Sequence, residues 1–295
     1  MQSFSRGWNF LLQAWKMAMA DKDLLKPSLY ALIVGFIVSL IGIIPMVISA
    51  LVLGTDSLAG QMIMGLFGVL LVFAQYSVTY IFSAMTVKLI YDYLTNGDGR
   101  MDQAWGMVQR EWLNILSLAA ASTLVNIIKN AIRGNGKNRN FIGEAIAGLI
   151  DTVWTEATYL VLPIMVIEDA NLKDGLKRAT YIVKNNLLLV GISTVGVRWV
   201  TGLIGFVCVV IGLALGFGIA FPIISFAGSS VVLVIVAVIL GVLVASIFFM
   251  AANLIGSYTS TAYHTCLYLW ARNTEQAGTQ VPASIPAPLA SVLGQ

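Results

Sequence analysis

The chain has 295 residues, of which 58% are apolar and only 11% are charged, and its formal net charge is +3. A soluble globular domain carries about 25% charged residues, so this composition excludes an ordinary soluble protein. The excess of apolar side chains predicts an integral membrane protein whose main partner is the lipid bilayer. The small net charge gives no strongly basic surface, so no nucleic-acid partner is expected.

Charge-free runs predict the membrane spans. They cover residues 27–55 and 57–87, and no Asp, Glu, Lys or Arg occurs between Arg198 and Arg272. About 20 apolar residues in a helix cross the roughly 30 Å hydrocarbon core of a bilayer. The predicted fold class is therefore an all-α, polytopic transmembrane helix bundle with six spans, at about residues 28–53, 61–90, 112–129, 143–167, 186–217 and 229–268. The first run is much longer than the apolar core of a signal peptide, so the first span is expected to stay as an anchor.

An amphipathic stretch precedes each odd-numbered span. The three stretches read WNFLLQAWKMAMADKDLLKPSLY, MDQAWGMVQREWLNILSL and NLKDGLKRATYIVKNNLLLV. Basic and aromatic residues alternate there with apolar ones at helical spacing, which is typical of a helix lying in the membrane interface. We predict three units, each with an interfacial helix (before spans 1, 3 and 5) and two spans. A simpler interpretation is that many membrane helices begin with an interfacial turn.

The basic residues predict the orientation. Four Lys or Arg precede span 1, and four lie between spans 4 and 5. Three more, Lys88, Arg100 and Arg110, lie between the last turn of span 2 and the start of span 3, whereas the connections after spans 1 and 5 have none. The positive-inside rule then places both termini of a multi-pass inner (cytoplasmic) membrane protein in the cytoplasm. Residues 130–143, NAIRGNGKNRNFIG, disagree, because six spans would place their basic side chains outside. The alternative is a chain of four true spans, in which residues 112–167 form a hairpin that does not fully cross.

Span 4 carries two carboxylates, Asp151 and Glu156. A helix advances about 100° per residue, which gathers the polar residues of this span on one arc. The opposite arc is apolar and is expected to face lipid, while the polar arc faces the bundle interior or water. The polar arc comprises Asp151, Thr152, Thr155, Glu156, Thr158 and Tyr159, and the apolar arc comprises Ile150, Val153, Trp154, Ala157, Leu160 and Val161.

An arginine in span 5 is the predicted partner of one carboxylate. Arg198 shares a helix face with Thr194 and Thr201, and counting residues along spans 4 and 5 places it at the depth of Glu156. We predict a buried pair between Glu156 and Arg198, and we expect Asp151 to face a wet cavity nearer the outer surface. The alternative role of the pair is only to fix the packing of two helices.

Span 6 carries a second polar stripe that ends in the single histidine, His264. No Cys, Asp or Glu stands at metal-ligand spacing from it, which favours a hydrogen-bonded histidine over a metal ligand. Four aromatic residues in the last part of this span and just after it are interpreted as a belt at the cytoplasmic interface. The stripe comprises Asn253, Ser257, Ser260, Thr261 and His264, and the belt comprises Tyr258, Tyr263, Tyr268 and Trp270. The spacing of Gly212 and Gly216 is that of a helix-packing motif.

No pattern in the chain indicates catalysis. HExxH, GxSxG, P-loop and dinucleotide-turn motifs do not occur, and one histidine is too few for most hydrolytic sites. Cys208 and Cys266 lack metal or redox spacing and are expected to be reduced, structural thiols. We therefore expect no enzyme, no catalytic residue, no cofactor and no metal site. The chain divides into a transmembrane domain at residues 1–272 and a flexible Pro- and Ala-rich tail at residues 273–295.

A thirty-residue segment carries a family resemblance. Residues 162–191, LPIMVIEDANLKDGLKRATYIVKNNLLLVG, join a Pro-containing span through an acidic turn to a short basic helix and the next span. This resembles a pattern in YciC-like bacterial and archaeal membrane proteins and in the membrane domain of some glycerophosphodiester phosphodiesterases. The opening segment GWNFLLQAWKMAMADKDLLKPSLYALIVGF is similar to the start of CysZ-type sulfate permeases. The matching positions of the first resemblance are Pro163, Glu168, Asp169, Leu176, Lys177, Arg178 and Ala179, with Thr180 where serine is usual.

The resemblance implies a six-span membrane fold and brings no catalytic motif, so two function classes stay open. The first is a permeation or transport module lined by spans 4 to 6, for which a water-filled path past Asp151 and Glu156 would be diagnostic. The second is a non-transporting scaffold or accessory subunit that organises lipid, a membrane partner protein or further copies of itself, for which a dry bundle with an apolar groove would be diagnostic. The residues do not name a solute or an ion. The predicted polar lining comprises Asp151, Thr155, Thr158, Tyr159, Thr194, Thr201, Ser257, Thr261 and His264.

Overall fold

The computed structural model is all-α, as the sequence predicts. It describes residues 2–55, 57–134, 141–185, 187–227 and 230–277 with Pro286 and Pro288, and it describes only the backbone at residues 2–4, 6, 185, 187–196, 227 and 277. Over these ranges there is no strand, and one 3₁₀ helix, Lys22–Leu24, accompanies eight α-helices. The helices are α1 Gln2–Ala20, α2 Lys26–Leu53, α3 Leu58–Asn96, α4 Met101–Arg133, α5 Phe141–Ile167, α6 Leu172–Asn185, α7 Leu187–Ala227 and α8 Val231–Ala277.

Six of these helices, α2 to α5 with α7 and α8, are long and apolar enough to cross a bilayer. They coincide with the six predicted spans, and the protein is a membrane-embedded helical bundle. Several helices are longer than predicted. The amphipathic stretch before span 3 is the first part of α4 itself, whereas the stretches before spans 1 and 5 form the separate helices α1 and α6.

Two helices continue beyond their predicted ends. Span 5 was predicted to end near residue 217, but α7 continues to Ala227, with Pro222 inside it. A proline is tolerated within a transmembrane helix because neighbouring groups can satisfy the freed carbonyl. The predicted tail boundary at residue 273 lies within α8, which ends at Ala277. Residues 135–140 of the basic loop and most of the tail lie outside the described residues.

The contacts of the backbone divide the chain into two compact units. The five-helix unit contains residues 18–187, which hold α2 to α6, together with the end of α8 from His264. The hairpin unit contains α1 as far as Met17, α7, and α8 as far as Tyr263.

The buried core of the five-helix unit lies at one end of its long helices. In this unit α3 packs against α2, α4 and α5, and α5 packs against α4 and α6. We call the region in which these buried residues lie the packed end. Its buried side chains include Ala84, Val87, Leu89 and Ile90 of α3, Ala104, Met107, Ile115 and Leu118 of α4, and Leu160, Val161, Ile164 and Met165 of α5.

The rest of the unit is an apolar section with little burial, best seen in α2. Gln75 of α3 donates hydrogen bonds to the Gly35 carbonyl (2.8 Å) and to Ser39 (2.7 Å) of α2, which fixes an antiparallel pair. The outer face of α2 carries exposed Phe36 and Ile41. Where Tyr30 meets Phe82, with ring centroids 6.3 Å apart, the first turns of α2 are level with α3 just before the packed end. The packed end therefore begins at about the level of Lys26, the charged residue directly before the charge-free run of α2.

A hydrogen-bonded turn closes the packed end. Gly97 ends α3 in the left-handed conformation (φ 79°), which glycine adopts without strain. The Gly99 amide donates to one Asp21 oxygen (2.7 Å) while the Asp23 amide donates to the other (2.9 Å). A Cβ on Gly99 would lie 2.9 Å from that first oxygen, so the approach requires glycine. Asp21 thus ties the start of α2 to the α3–α4 turn.

Close glycine contacts join α7 and α8 in the hairpin unit. A Cβ on Gly216 would lie 2.5 Å from the Gly241 carbonyl oxygen, and one on Gly212 would lie 2.5 Å from the Phe248 Cβ. The predicted packing role of the Gly212 and Gly216 pair is therefore confirmed. Small residues allow such backbone contact in membranes, where helix association depends on packing.

The aromatic belt predicted near the end of α8 is wrong for its tyrosines. Tyr258, Tyr263 and Tyr268 are fully or almost fully buried. In the hairpin unit the Tyr258 hydroxyl donates to the Ala14 carbonyl (3.0 Å), and Phe10 meets Tyr263 edge to face. Tyr258 and Tyr263 are covered because α1 packs against them, which a pattern within α8 alone does not reveal.

Candidate functional site

An ion pair joins α4 and α5 inside the apolar section of the five-helix unit. The Lys129 ammonium donates to an Asp151 carboxylate oxygen. The Lys129 side chain is 11% exposed, whereas that of Asp151 is 54% exposed. The cation is therefore buried within the chain, and the carboxylate covers it from the outside.

The only carboxylate partner that the sequence predicted inside the membrane was Arg198, whereas Lys129 supplies the cation that Asp151 binds. The buried residues of α4 recur at helical spacing and lead to Lys129: Ala104, Met107, Val108, Ile115, Leu118, Ala119, Ser122 and Thr123. This periodicity was a signal that Lys129 faces a neighbouring helix, but Lys129 stands at the end of predicted span 3 and was not considered as a partner for a carboxylate.

A hydrogen-bonded group of three side chains lies next along the same helices. Tyr80 of α3 and Ser122 of α4 share a hydrogen bond of 2.7 Å, and the Trp154 indole of α5 donates to Ser122 (2.9 Å). Trp154 was expected to face lipid. That expectation is wrong, because its indole turns toward α4 to find the acceptor that a buried N–H requires.

The rest of the predicted lipid-facing arc of α5 also needs correction. Val153 is exposed as expected, but Leu160 and Val161 are buried. They lie in the packed end, where α3, α4 and α6 surround α5. Residues 160–166 are buried without interruption, so helical periodicity cannot assign a lipid face there.

The second carboxylate of α5 meets the histidine of α8. Glu156 Oε2 lies 3.5 Å from His264 Nε2, and the side chains are 32% and 6% exposed. The His264 ring stacks on Tyr159, with centroids 4.6 Å apart and planes within 9°. The contact is an ion pair only if the His264 imidazole carries its second proton.

The three groups together form what we call the polar strip: Lys129 and Asp151; Tyr80, Ser122 and Trp154; and Glu156, Tyr159 and His264. Their depth follows from the helix register. Tyr30 marks the level of Phe82, and Lys26, the last charge before the apolar run, is then level with α3 near residue 86. Tyr80 and Trp154 lie roughly 9 Å from that level into the apolar section, and Asp151 lies roughly 13 Å into it.

Asp151 is therefore closer to the middle of the apolar section than counting along span 4 suggested. The count assumed that α5 leaves the membrane at Ile167, but the last turns of α5 belong to the packed end. Whether a wet cavity faces Asp151 stays a prediction.

The predicted pair of Glu156 and Arg198 also stays a prediction, since Glu156 belongs to the five-helix unit and Arg198 to the hairpin unit. Arg198 is exposed on α7, where it lines an open groove with Trp199, Gly202 and Leu203. Glu156 is partly exposed. Neither side chain has the full burial that the prediction assumed.

The predicted polar lining is distributed over both units. In the five-helix unit Thr158 and His264 are buried, Thr155 and Tyr159 are partly buried, and Asp151 is exposed. In the hairpin unit Thr261 is buried and Ser257 is partly buried, while Thr201 donates back to the Val197 carbonyl of its own helix. The Thr194 side chain lies outside the described residues.

A second charged cluster lies at the packed end, and none of its residues was among the predicted site residues. The Tyr268 hydroxyl donates to Glu168 (2.6 Å), and Arg178 binds Glu275 and approaches Glu168 at 3.7 Å. Burial opposes the charge of Arg178, but the hydrogen bond and charge of Glu275 outweigh it and raise the pKa of Arg178 above its ordinary value. An open pocket of about 810 Å³ lies beside this cluster, lined also by Asp174, Lys177 and Tyr181.

The chemistry available at these sites is that of charge and hydrogen bonding. Among the described residues, no three His, Cys, Asp or Glu side chains lie close enough together to hold a metal ion. Cys208 and Cys266 are free thiols. The polar strip offers an ammonium, two carboxylates, an imidazole and three hydroxyls in sequence along four helices, which suits the stepwise contact of a small polar or charged species.

Comparison with known proteins gives one match. A family model described as "Family of unknown function (DUF6159)" matches residues 59–278, more than half of the chain, and covers the whole polar strip. No curated protein and no solved structure matches the chain.

Proposed function

Since the chain belongs to DUF6159, a family of unknown function, we propose from its own geometry that it is a permeation or transport module whose pathway follows the polar strip. The ligand class is a small polar or charged solute. The role requires no catalysis, and we include a non-enzymatic function in the proposal.

The observation that carries the proposal is the Lys129–Asp151 pair. A charged side chain within a membrane span costs about 2.5 to 3.5 kcal/mol on the insertion scale, and such residues commonly mark ion and proton pathways. Here Asp151 is more than half exposed while it holds a buried lysine. A carboxylate needed only for packing would be expected to be enclosed with its partner, whereas one that meets a solute must be accessible.

The strip continues from that pair toward the packed end. Trp154 and Ser122 lie one helical turn further, followed by Glu156 and His264. The imidazole of His264 can both accept and donate a proton, which provides a group able to exchange a proton or to release a bound cation. A relay of this kind is typical of intramembrane Asp, Glu and His residues in transporters.

The proposed orientation places the packed end in the cytoplasm of a cell whose inner membrane holds the protein. The basic residues near Lys22, Arg100 and Lys177 support this orientation through the positive-inside rule. Both termini are then cytoplasmic, and α1 and α6 are proposed to lie along the membrane interface.

Flux into proteoliposomes tests the proposal. The wild-type chain is compared with Asp151→Asn and Glu156→Gln, using potassium, chloride, sulfate and proton fluxes, after circular dichroism and gel filtration have confirmed folding. Glu144→Gln is the matched control, because Glu144 is an exposed carboxylate on the same helix and outside the strip. We expect the two strip variants to change the rate or selectivity of at least one flux and the control to leave it unchanged.

A second function, a scaffold that organises lipid or a partner protein, is favoured by the exposed apolar face of α2. Large apolar side chains of this helix, such as Phe36, Ile41 and Ile44, are more than half exposed within the chain. A folded protein that conducts no member of the flux panel, or that conducts equally in all four forms, would reject the strip as a pathway and favour the scaffold. The appropriate next measurement would then be the oligomeric state in the membrane and the identity of co-purifying partners.

A further inference from the structure

Helix α6 presents two different faces. Gly175, Ala179 and Ile182 are buried on one side, and a Cβ on Gly175 would lie 3.2 Å from Met165 Cγ and 3.3 Å from Val161 Cγ1. These contacts place α6 alongside the last two turns of α5. The buried residues occupy an arc of roughly 60° on the helical wheel.

The opposite face is basic. Lys173, Lys177 and Lys184 lie within an arc of roughly 40°, and its centre is about 180° from the buried arc. All three are exposed, and Tyr181 extends the face on one side. In the part of the chain that the structure describes, none of the three lysines pairs with a carboxylate, whereas Arg178 on the neighbouring arc is held by Glu275 and Glu168. We call this set the lysine face.

The position of α6 along the long helices determines whether the lysine face lies at the boundary of the apolar section. Lys26, at the start of the apolar run of α2, is level with α3 near residue 86. Tyr80 of α3 and Trp154 of α5 are level with each other because both bind Ser122, so residue 86 of α3 is level with about residue 160 of α5. Gly175 of α6 packs beside Val161, at this same level. Four residues separate α5 from α6 and one separates α6 from α7, so both ends of α6 are held close to membrane-spanning helices.

We infer that the lysine face is a binding site for the phosphate groups of anionic phospholipids. Its three ammonium groups extend over roughly 16 Å at the boundary of the apolar section, in the position of a lipid headgroup layer. The adjoining Tyr181 has the apolar ring and polar hydroxyl that suit this layer. The neighbouring pocket has Glu168, Asp174 and Glu275 in its wall, which repel an anion and confine the site to the lysine face. The inference does not depend on whether the protein transports a solute.

Binding is tested on the full-length protein in neutral detergent micelles. Energy transfer from the tryptophans of the protein to dansyl-labelled phosphatidylglycerol measures the affinity, and dansyl-labelled phosphatidylcholine reports the contribution of the acyl chains alone. A basic residue near an anionic surface contributes about 1 kcal/mol, which is about fivefold in affinity. The triple change of Lys173, Lys177 and Lys184 to Gln is expected to weaken phosphatidylglycerol binding by at least about tenfold and to leave phosphatidylcholine binding unchanged.

The matched control is the same triple change to Arg, which keeps the charge and should keep the affinity within about threefold. Since all three side chains are exposed, the melting temperatures of both variants should equal that of the wild type. Asp174→Asn removes a negative charge beside Lys177 and should strengthen phosphatidylglycerol binding, which provides a test that does not depend on the triple variants folding.

Three results would overturn the inference. The Gln triple could bind phosphatidylglycerol as the wild type does, or the wild type could bind phosphatidylcholine equally well. Displacement of the labelled lipid by excess inorganic phosphate would show instead that the face takes a soluble anion. Retention of the lipid in phosphate, with loss in the Gln triple, supports the lipid source.

Discussion

The apolar section and the packed end of the five-helix unit are built from the same helices but cover their apolar side chains in different ways. In α2 the buried residues are Pro27, Ser28, Gly35 and Ser49, none of them a large aliphatic or aromatic residue, whereas in α5 every residue from Leu160 to Val166 is buried. Side chains of the packed end are removed from water by one another, and the hydrophobic effect stabilises them. Side chains of the apolar section are covered by lipid tails, where apolar burial against another helix gains little and close packing must do more.

The ion pairs of the two regions also differ in how they are covered. At the rim of the packed end the Arg110–Asp169 pair lies in the open, with both side chains more than half exposed, whereas the Lys88–Asp92 pair further inside is mostly buried. In the apolar section the Lys129 ammonium is enclosed and depends on Asp151. The open pair tolerates the loss of one charge because water replaces the lost partner, and the enclosed ammonium does not.

The largest expected effect is on the free energy of unfolding, and it comes from comparing the same substitution at one buried and one exposed isoleucine. Ile164→Ala removes a fully buried side chain of the packed end and should lower the free energy of unfolding by about 2 to 5 kcal/mol. Ile41→Ala removes a side chain of α2 that is 63% exposed, and it should change stability by less than about 0.5 kcal/mol. Thermal unfolding in detergent, followed by circular dichroism, measures both. Equal losses would mean that the exposed face of α2 is covered by a protein partner.

Removal of the charge partner in the apolar section should have the next largest effect. Asp151→Ala leaves the Lys129 ammonium buried and unpaired, at a cost of about 3 kcal/mol, the lower end of the range for a broken buried pair because Asp151 is itself half exposed. Adding Lys129→Met should restore most of the lost melting temperature. A double variant no more stable than Asp151→Ala would argue that the pair is not what makes the single variant unstable.

Two glycines of the packed end, Gly99 in the α3–α4 turn and Gly106 in α4, should respond to alanine in opposite ways. Gly99→Ala forces its Cβ against Asp21 Oδ2, Leu24 and the Leu89 carbonyl, and should cost about 1 to 3 kcal/mol. Gly106→Ala in α4 meets no atom within 4 Å and should stabilise the helix by about 0.5 to 1 kcal/mol. Chemical denaturation of the two variants side by side checks the sign of each change. A neutral Gly99→Ala would indicate that the Asp21 hydrogen bonds are not required for the fold.

The smallest effect is expected at the exposed rim. Arg110→Gln removes the 2.9 Å contact with Asp169 and should cost less than about 1 kcal/mol, because both charges remain solvated. High salt should reduce the difference further. A loss comparable to that of Asp151→Ala would contradict the view that the packed end depends on apolar burial.

Residue patterns predicted the positions of the helices well, but they predicted poorly which side chains form hydrogen bonds and ion pairs with one another. The close contact at Gly216 was predicted from spacing within one helix and is present. Trp154 was predicted to face lipid and no partner was predicted for Lys129, yet Trp154 donates to Ser122 and Lys129 binds Asp151. The helical wheel describes a single helix and carries no information about which neighbour supplies a hydrogen-bond partner, so it predicted neither contact.

The burial of tyrosines in α8 illustrates the same limit at longer range. Tyr258 finds its acceptor in Ala14, 244 residues earlier, and Tyr268 finds Glu168, 100 residues earlier. An aromatic residue near the end of a span is usual at a membrane interface. Only the packing of distant segments over these rings converts them into core residues.

The sequence by itself determined that this protein is an all-α membrane protein with six long apolar helices, because the hydrophobic cost of exposing charge-free runs to water is a local property of each run. The tertiary structure alone decided how deep each charge lies and which group it faces. The register of α3, α4 and α5 brings Lys129 to Asp151 and Ser122 to Trp154, and α8 brings His264 to Glu156. That register follows from the summed packing of many side chains across helices, a quantity that no single stretch of sequence contains.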